Sequence, residues 1–212
     1  MPSNDDKDAE SDTPIARAGD WKGSHAIGTM TEFVYGRYWR EVSKISFGGE
    51  TLVVARHTET VAYMAGILLD DGRYERHCIL ELEPSSQIGK RLGYPRLYAV
   101  RRVMTAKTER GLGIATLLYK WVCTHLGPVM SDREQYFGAR RLWASLSRDH
   151  EVSVQVVNLD NSEVVGASVR LHQGPMDGDI DHRYWSADLE KEPFRFILTP
   201  TRPPQQTDAT GK

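Results

Sequence analysis

The 212-residue chain holds only two cysteines, Cys78 and Cys123, in neither a CxxC nor any other metal-ligand spacing. That excludes a disulfide scaffold and a cysteine-built metal centre, so both are expected to be buried thiols in a reducing compartment. The seven histidines are scattered, and no metal site is expected from them. No apolar stretch approaches the roughly 20 residues that cross a bilayer, so no membrane partner is expected. The start, "MPSNDDKDAESDTP", is acidic and lacks the apolar run of a secretory signal. A cytoplasmic setting is the expectation. There is no internal repeat, and the two polar ends hold the only low-complexity sequence.

What is present is ordinary in amount and uneven in placement. Hydrophobic content of 40% and charged content of 26% suit one globular domain. The net charge of −2 hides three blocks. Residues 1–20 carry six acids against two bases, residues 21–148 carry 19 bases against 12 acids, and residues 149–192 carry 10 acids against three bases. A basic middle between acidic segments suits an anionic ligand, although folding can equally mix these charges over one surface.

Residues 1–28 lack apolar periodicity and read as a disordered acidic arm, and residues 201–212 read as a disordered tail. The domain is expected over 29–200. "ETLVVAR" (50–56) and "TVAYMAGILLD" (60–70) are β-rich runs that suggest a hairpin. "RYERHCILELEP" (73–84) suits a further strand and "PRLYAVRRVMT" (95–105) a central one. From Leu112 the period changes: Leu112, Ala115, Leu118 or Tyr119, Val122 and Leu126 mark one face of a helix, which Gly127-Pro128 stops. "PVMSD" (128–132) reads as a short buried strand. A second helix carries Tyr136, Ala139, Leu142 or Trp143 and Leu146 on one face, with Arg133, Arg140 and Arg141 on the other. "EVSVQVVNL" (151–159) and "FRFILTP" (194–200) close the order as strands. The fold class is α/β, with a mixed, mostly antiparallel central sheet flanked by helices in a single domain.

The segment "TERGLGIATLLYKWV" (108–122) puts glycines where a helix would be weakened by roughly 1 kcal/mol each. A strand through Thr105, a loop, and a helix whose first turn holds Gly111-Leu112-Gly113 would leave unpaired N–H groups pointing at one place. The helix dipole favours an anion there, glycine removes the Cβ from its path, and Arg110 adds a permanent cation.

Arg110-Gly111-Leu112-Gly113-Ile114-Ala115 also matches R/Q-x-x-G-x-G/A, and here the chain resembles the GNAT superfamily of N-acetyltransferases. "SDREQYFGARRLWASL" (131–146) and a later "YWS" (184–186) resemble a branch common in tailed bacteriophages, whose setting would be a host cytoplasm. The resemblance is sharp over 97–148 and loose over about 30–200. It implies acetyl-coenzyme A or another acyl-coenzyme A as cofactor. The pyrophosphate would lie on the amides of 111–116, which include Gly111, Leu112, Gly113, Ala115 and Thr116. The pantetheine arm would lie along the strand at Met104 and Thr105.

One departure matters. Aligning the family's N-x-x-A-x-x-x-Y on Ala139 puts Tyr136 at the asparagine position and Trp143 at the tyrosine position. Tryptophan cannot protonate a departing thiolate near neutral pH. Ser131 and Tyr136 are the remaining catalytic candidates, to orient the thioester and donate a proton. Ser131-x-x-Glu134 also reads as a capping box, with Asp132 a second cap, and Tyr136 also reads as a core aromatic. Glu81 and Glu83 lie on a candidate strand, and neither is singled out as general base.

The favoured reading is transfer of an acyl group to an amine of a small molecule or protein. The alternatives are transfer to a nucleic-acid base, and a GNAT-fold binding protein without turnover. A nucleic-acid acceptor would need Arg73, Arg76, Lys90, Arg91 and Arg96 on one exposed face beside Arg101, Arg102 and Lys107. Oligomeric state is not legible in the sequence.

Overall fold

The computed structural model describes residues 28–30, 32–132, 137–166 and 194–201. In chain order the elements are β1 (Gly28–Met30), α1 (Glu32–Tyr38), β2 (Trp39–Phe47), β3 (Glu50–His57), β4 (Ala62–Leu68) and β5 (Tyr74–Pro84). Then follow α2 (Ser86–Arg91), β6 (Tyr98–Thr105), a 3-10 turn (Lys107–Glu109), α3 (Ile114–His125) and β7 (Val129–Met130). The last are α4 (Phe137–Leu146), β8 (Val152–Asn158), β9 (Glu163–Gly166) and β10 (Phe194–Pro200). The strands form one sheet in the order β2-β3-β4-β5-β6-β7-β10-β8-β9, with β1 also on β5. β6 and β7 are parallel, and every other pairing among the described residues is antiparallel. The mixed, mostly antiparallel α/β architecture is as expected.

The continuous apolar run in β3 is explained by burial on both faces. Leu52 and Val54 join the main core with Tyr63, Leu80, Leu118, Tyr119 and Val122. Val53 and Ala55 turn to a second cluster with Tyr35 of α1, Trp39, Met64 and Ile79. α3 therefore covers one face of the sheet and α1 the other. α3 buries Ile114, Leu118, Tyr119, Val122 and Cys123, spaced for a single helical face. The amides of Leu126 and Gly127 both return to the Val122 carbonyl, which closes the helix where the glycine-proline pair predicts.

α4 adds Trp143, Ala144 and Leu146 to the same core. Trp143 stands edge-on to Tyr119, with ring centroids 5.9 Å apart, and packs on Phe196 at 5.6 Å. Lys120 ties α3 to the start of β8 through Asp149 at 2.7 Å and through Glu151.

Two features differ from the pattern read in the sequence. Leu112 is no part of the helix face: α3 starts at Ile114, and Leu112 sits in the preceding turn, 59% exposed. The reason is backbone geometry, because the flanking glycines adopt φ +81° and +94°, outside any right-handed helix. Elements over 28–47, 86–91 and 163–166 also lie where no element is expected. α1 and α2 span seven and six residues, too short to show a period, and β2 buries fully only Trp39.

Candidate anion-binding site at the start of α3

β6 delivers the chain to the site, and the 3-10 turn reverses it into α3. Leu117 N–H makes the first helical bond, to the Gly113 carbonyl at 2.9 Å. The amides of Gly113, Ile114, Ala115 and Thr116 thus precede the ladder. Gly113 is the N-cap and offers no side-chain oxygen to them. Ala115 and Thr116 are half-buried, whereas Arg110 and Gly111 are exposed. Arg110 Nε–H points at the Thr105 carbonyl, 3.5 Å away, which folds its guanidinium back over the turn.

The backbone adds a second demand for glycine here, besides clearance for a ligand. A Cβ at Gly111 would meet nothing within 4 Å, and one at Gly113 would rest at ordinary contact, 3.7 Å and 3.9 Å from Cζ and Cε2 of Phe47. Neighbouring atoms do not demand glycine at either place. The left-handed φ does, since an L-residue there carries a cost of roughly 1–2 kcal/mol. The space above Gly111 nevertheless leaves its main chain open to an approaching group.

The second half of the site is the edge of β6. β7 pairs with it only at Tyr98 and Ala99, so from Val100 onward β6 has β5 on one side and, among the described residues, no strand on the other. The register passes from Glu81↔Arg102 to Leu82↔Val100, which makes Arg101 the extra residue of a β-bulge. Ala106 N–H bonds the His77 carbonyl at 2.7 Å. Strand alternation then turns the main-chain groups of Arg102 and Met104 to β5, and those of Val103 and Thr105 to the open edge. This edge leads directly to the start of α3.

Met104 packs its side chain on the second cluster. Thr105 donates its hydroxyl proton to Cys78 Sγ at 3.6 Å. Burial pushes both thiols, Cys78 and Cys123, up to about 12, so both remain protonated and inert near neutral pH, in line with the sequence reading.

Ser131 lies where β7 ends and is buried. Its N–H donates to the Phe196 carbonyl at 2.8 Å, and its Oγ accepts from Phe196 N–H at 3.1 Å. Its hydroxyl therefore serves the β7–β10 seam. Asp132 follows it, near Tyr119, whose phenol is held well above its ordinary range by burial first, with Asp132 and Cys78 adding to the effect. Tyr136, with Arg133 and Glu134, lies outside the described residues. Trp143 is buried in the core, Glu81 is half-buried and Glu83 exposed. Arg76 is buried and Arg73 is forked onto Asp71 at 2.6 Å, so two of the five cations needed for a nucleic-acid face are engaged elsewhere.

The structure adds a pair that the sequence pattern did not single out. His77 is buried, and its Nδ1 lies 3.8 Å from Oε2 of Glu109 in the turn. Nothing in the local sequence marks it, because the contact joins a strand to a loop about thirty residues later. No group of His, Cys, Asp and Glu suited to a metal occurs among the described residues. The chain matches no protein-family model, no curated protein and no solved structure. What the site can do must therefore be argued from its own geometry.

Proposed function

We propose that the protein is an acyl-coenzyme A-dependent N-acyltransferase of the GNAT type, acting on an amine of a small molecule or protein. The observation that carries this reading is the open edge of β6 running into the uncapped start of α3. One continuous main-chain surface there offers alternating amides and carbonyls, then a cluster of amides. Few ligands match both parts. Coenzyme A combines an amide-bearing arm with a pyrophosphate.

In this reading the amides of Gly113 to Thr116 and the Arg110 guanidinium hold the pyrophosphate. The main chains of Val103 and Thr105 pair with the arm as a further strand would. The bound thioester supplies an activated acyl group. The acceptor amine attacks its carbonyl carbon, the C–S bond breaks, the amine loses a proton and the thiolate gains one. Ser131 is assigned the orientation of the thioester and Tyr136 the proton donation. Burial of Trp143 favours a second reading, a binding protein that keeps the cofactor without turnover, because no phenol stands at that position.

The experiment is release of thiol from acetyl-coenzyme A, screened against amines, peptides and nucleic acids, with calorimetry alongside. A Kd in the low-micromolar range, about 8 kcal/mol, is expected. Tyr136→Phe removes only the hydroxyl, and a turnover rate equal to wild type would return Tyr136 to a packing role. Binding without thiol release would establish the second reading, and no binding would end both.

A further inference from the structure

We propose that His77 is a positioning residue whose ring Nδ1–H takes up the Glu109 carboxylate when an anion occupies the start of α3; this rests on the anion site of the preceding reading. The difficulty it resolves is a carboxylate in the wrong place. Glu109 immediately precedes Arg110, in the turn that presents the amides, and like charge there opposes an incoming phosphate.

His77 is built to answer that charge. The register of β4 and β5 passes from Ala65↔Cys78 to Gly66↔Arg76, so His77 is the extra residue of a bulge, a device that re-aims a side chain. Its side chain is 8% exposed, and Nδ1 has no hydrogen-bond partner. At 3.8 Å the Glu109 oxygen is too far for a hydrogen bond, yet it is the carboxylate that this nitrogen faces. A buried polar nitrogen left without a partner is costly, and with the proton on Nδ1, closing the gap by about 1 Å relieves that cost. The His77 main chain is fixed meanwhile, since its carbonyl accepts from Ala106 N–H. An anion at Arg110–Thr116 repels the carboxylate toward the imidazole, and the imidazole N–H receives it.

The test is a cycle of His77→Asn, Glu109→Gln and the double variant, with titration calorimetry against coenzyme A and, separately, inorganic pyrophosphate. His77→Asn is expected to weaken coenzyme A binding about tenfold, the size of one close side-chain coupling. The double variant is expected to recover to within about twofold of wild type, because the uncompensated charge is gone. A merely structural histidine gives no such rescue. Equal affinity in His77→Asn, or a double variant as weak as His77→Asn, overturns the proposal. Failure of wild type to bind coenzyme A, with the same loss and rescue read on pyrophosphate, overturns the acyltransferase reading and leaves the His77–Glu109 pair standing.

Discussion

Gly113 separates two demands that a glycine at a helix start can meet. Its φ of +94° is a left-handed conformation, and a Cβ there would lie 3.7 Å from Phe47, without a clash. Folding should therefore respond to backbone preference rather than side-chain size. Asparagine tolerates left-handed φ better than alanine, and a β-branched residue tolerates it worst. The expected stability order is Gly113, then Gly113→Asn, Gly113→Ala and Gly113→Val. Alanine should cost roughly 1–2 kcal/mol, a melting-temperature drop of about 2–8 °C for a chain of this size. Binding of coenzyme A should follow a different order, because any side chain at the first amide obstructs an anion. Asparagine, the better tolerated in folding, should bind no better than alanine. Thermal melts and calorimetry on the same four proteins check both orders. If Gly113→Asn is no more stable than Gly113→Ala, the φ argument is wrong. If Gly113→Val binds coenzyme A like wild type, the site is not there.

Ser131→Ala should destabilise by about 1–3 kcal/mol, since it leaves the buried Phe196 N–H without its side-chain acceptor; an unchanged chemical-denaturation midpoint would show that Oγ contributes nothing to the seam. Asp149 is held below its ordinary range: burial raises it, but hydrogen bonds from Lys120 and the Glu151 amide outweigh that. A carboxylate depressed in the folded state stabilises above its unfolded value near pH 4, and loses that contribution as pH falls through the folded value. Melting temperature should thus fall below about pH 4 in wild type and fall less in Lys120→Met, with a contribution of about 1 kcal/mol; parallel curves would refute it. DNA association should be weak at low salt and vanish near physiological ionic strength, because Arg76 is buried and Arg73 engaged by Asp71; submicromolar binding at about 150 mM salt would instead promote the nucleic-acid reading.

The main strands and both long helices are legible because each buries a face whose period the residues state directly. β3 reads as a β-rich run and proves to be buried on both faces; α3 reads as a helix from Ala115, Leu118 or Tyr119, Val122 and Leu126, and its buried face proves to include Cys123 and not Leu112. The sequence reading puts Gly111 and Gly113 in the first turn of the helix, whereas their backbone angles place them just before it. The sequence suggests clearance for a ligand, and the backbone angles add a demand for glycine at both positions that is independent of any ligand.

What stayed hidden depends on registers. The Arg101 and His77 bulges each add one residue to a strand, and neither residue type announces it. Yet these bulges shape the candidate site. With Arg101 in a regular place in the ladder, alternation would turn Val103 and Thr105 toward β5 and present Arg102 and Met104 at the open edge instead. Without the bulge at His77, nothing would re-aim its side chain at that point of β5, beneath the turn that carries Glu109. The candidate site lies where strand pairing is irregular, and periodicity is blind at those places because it is a property of regular ones.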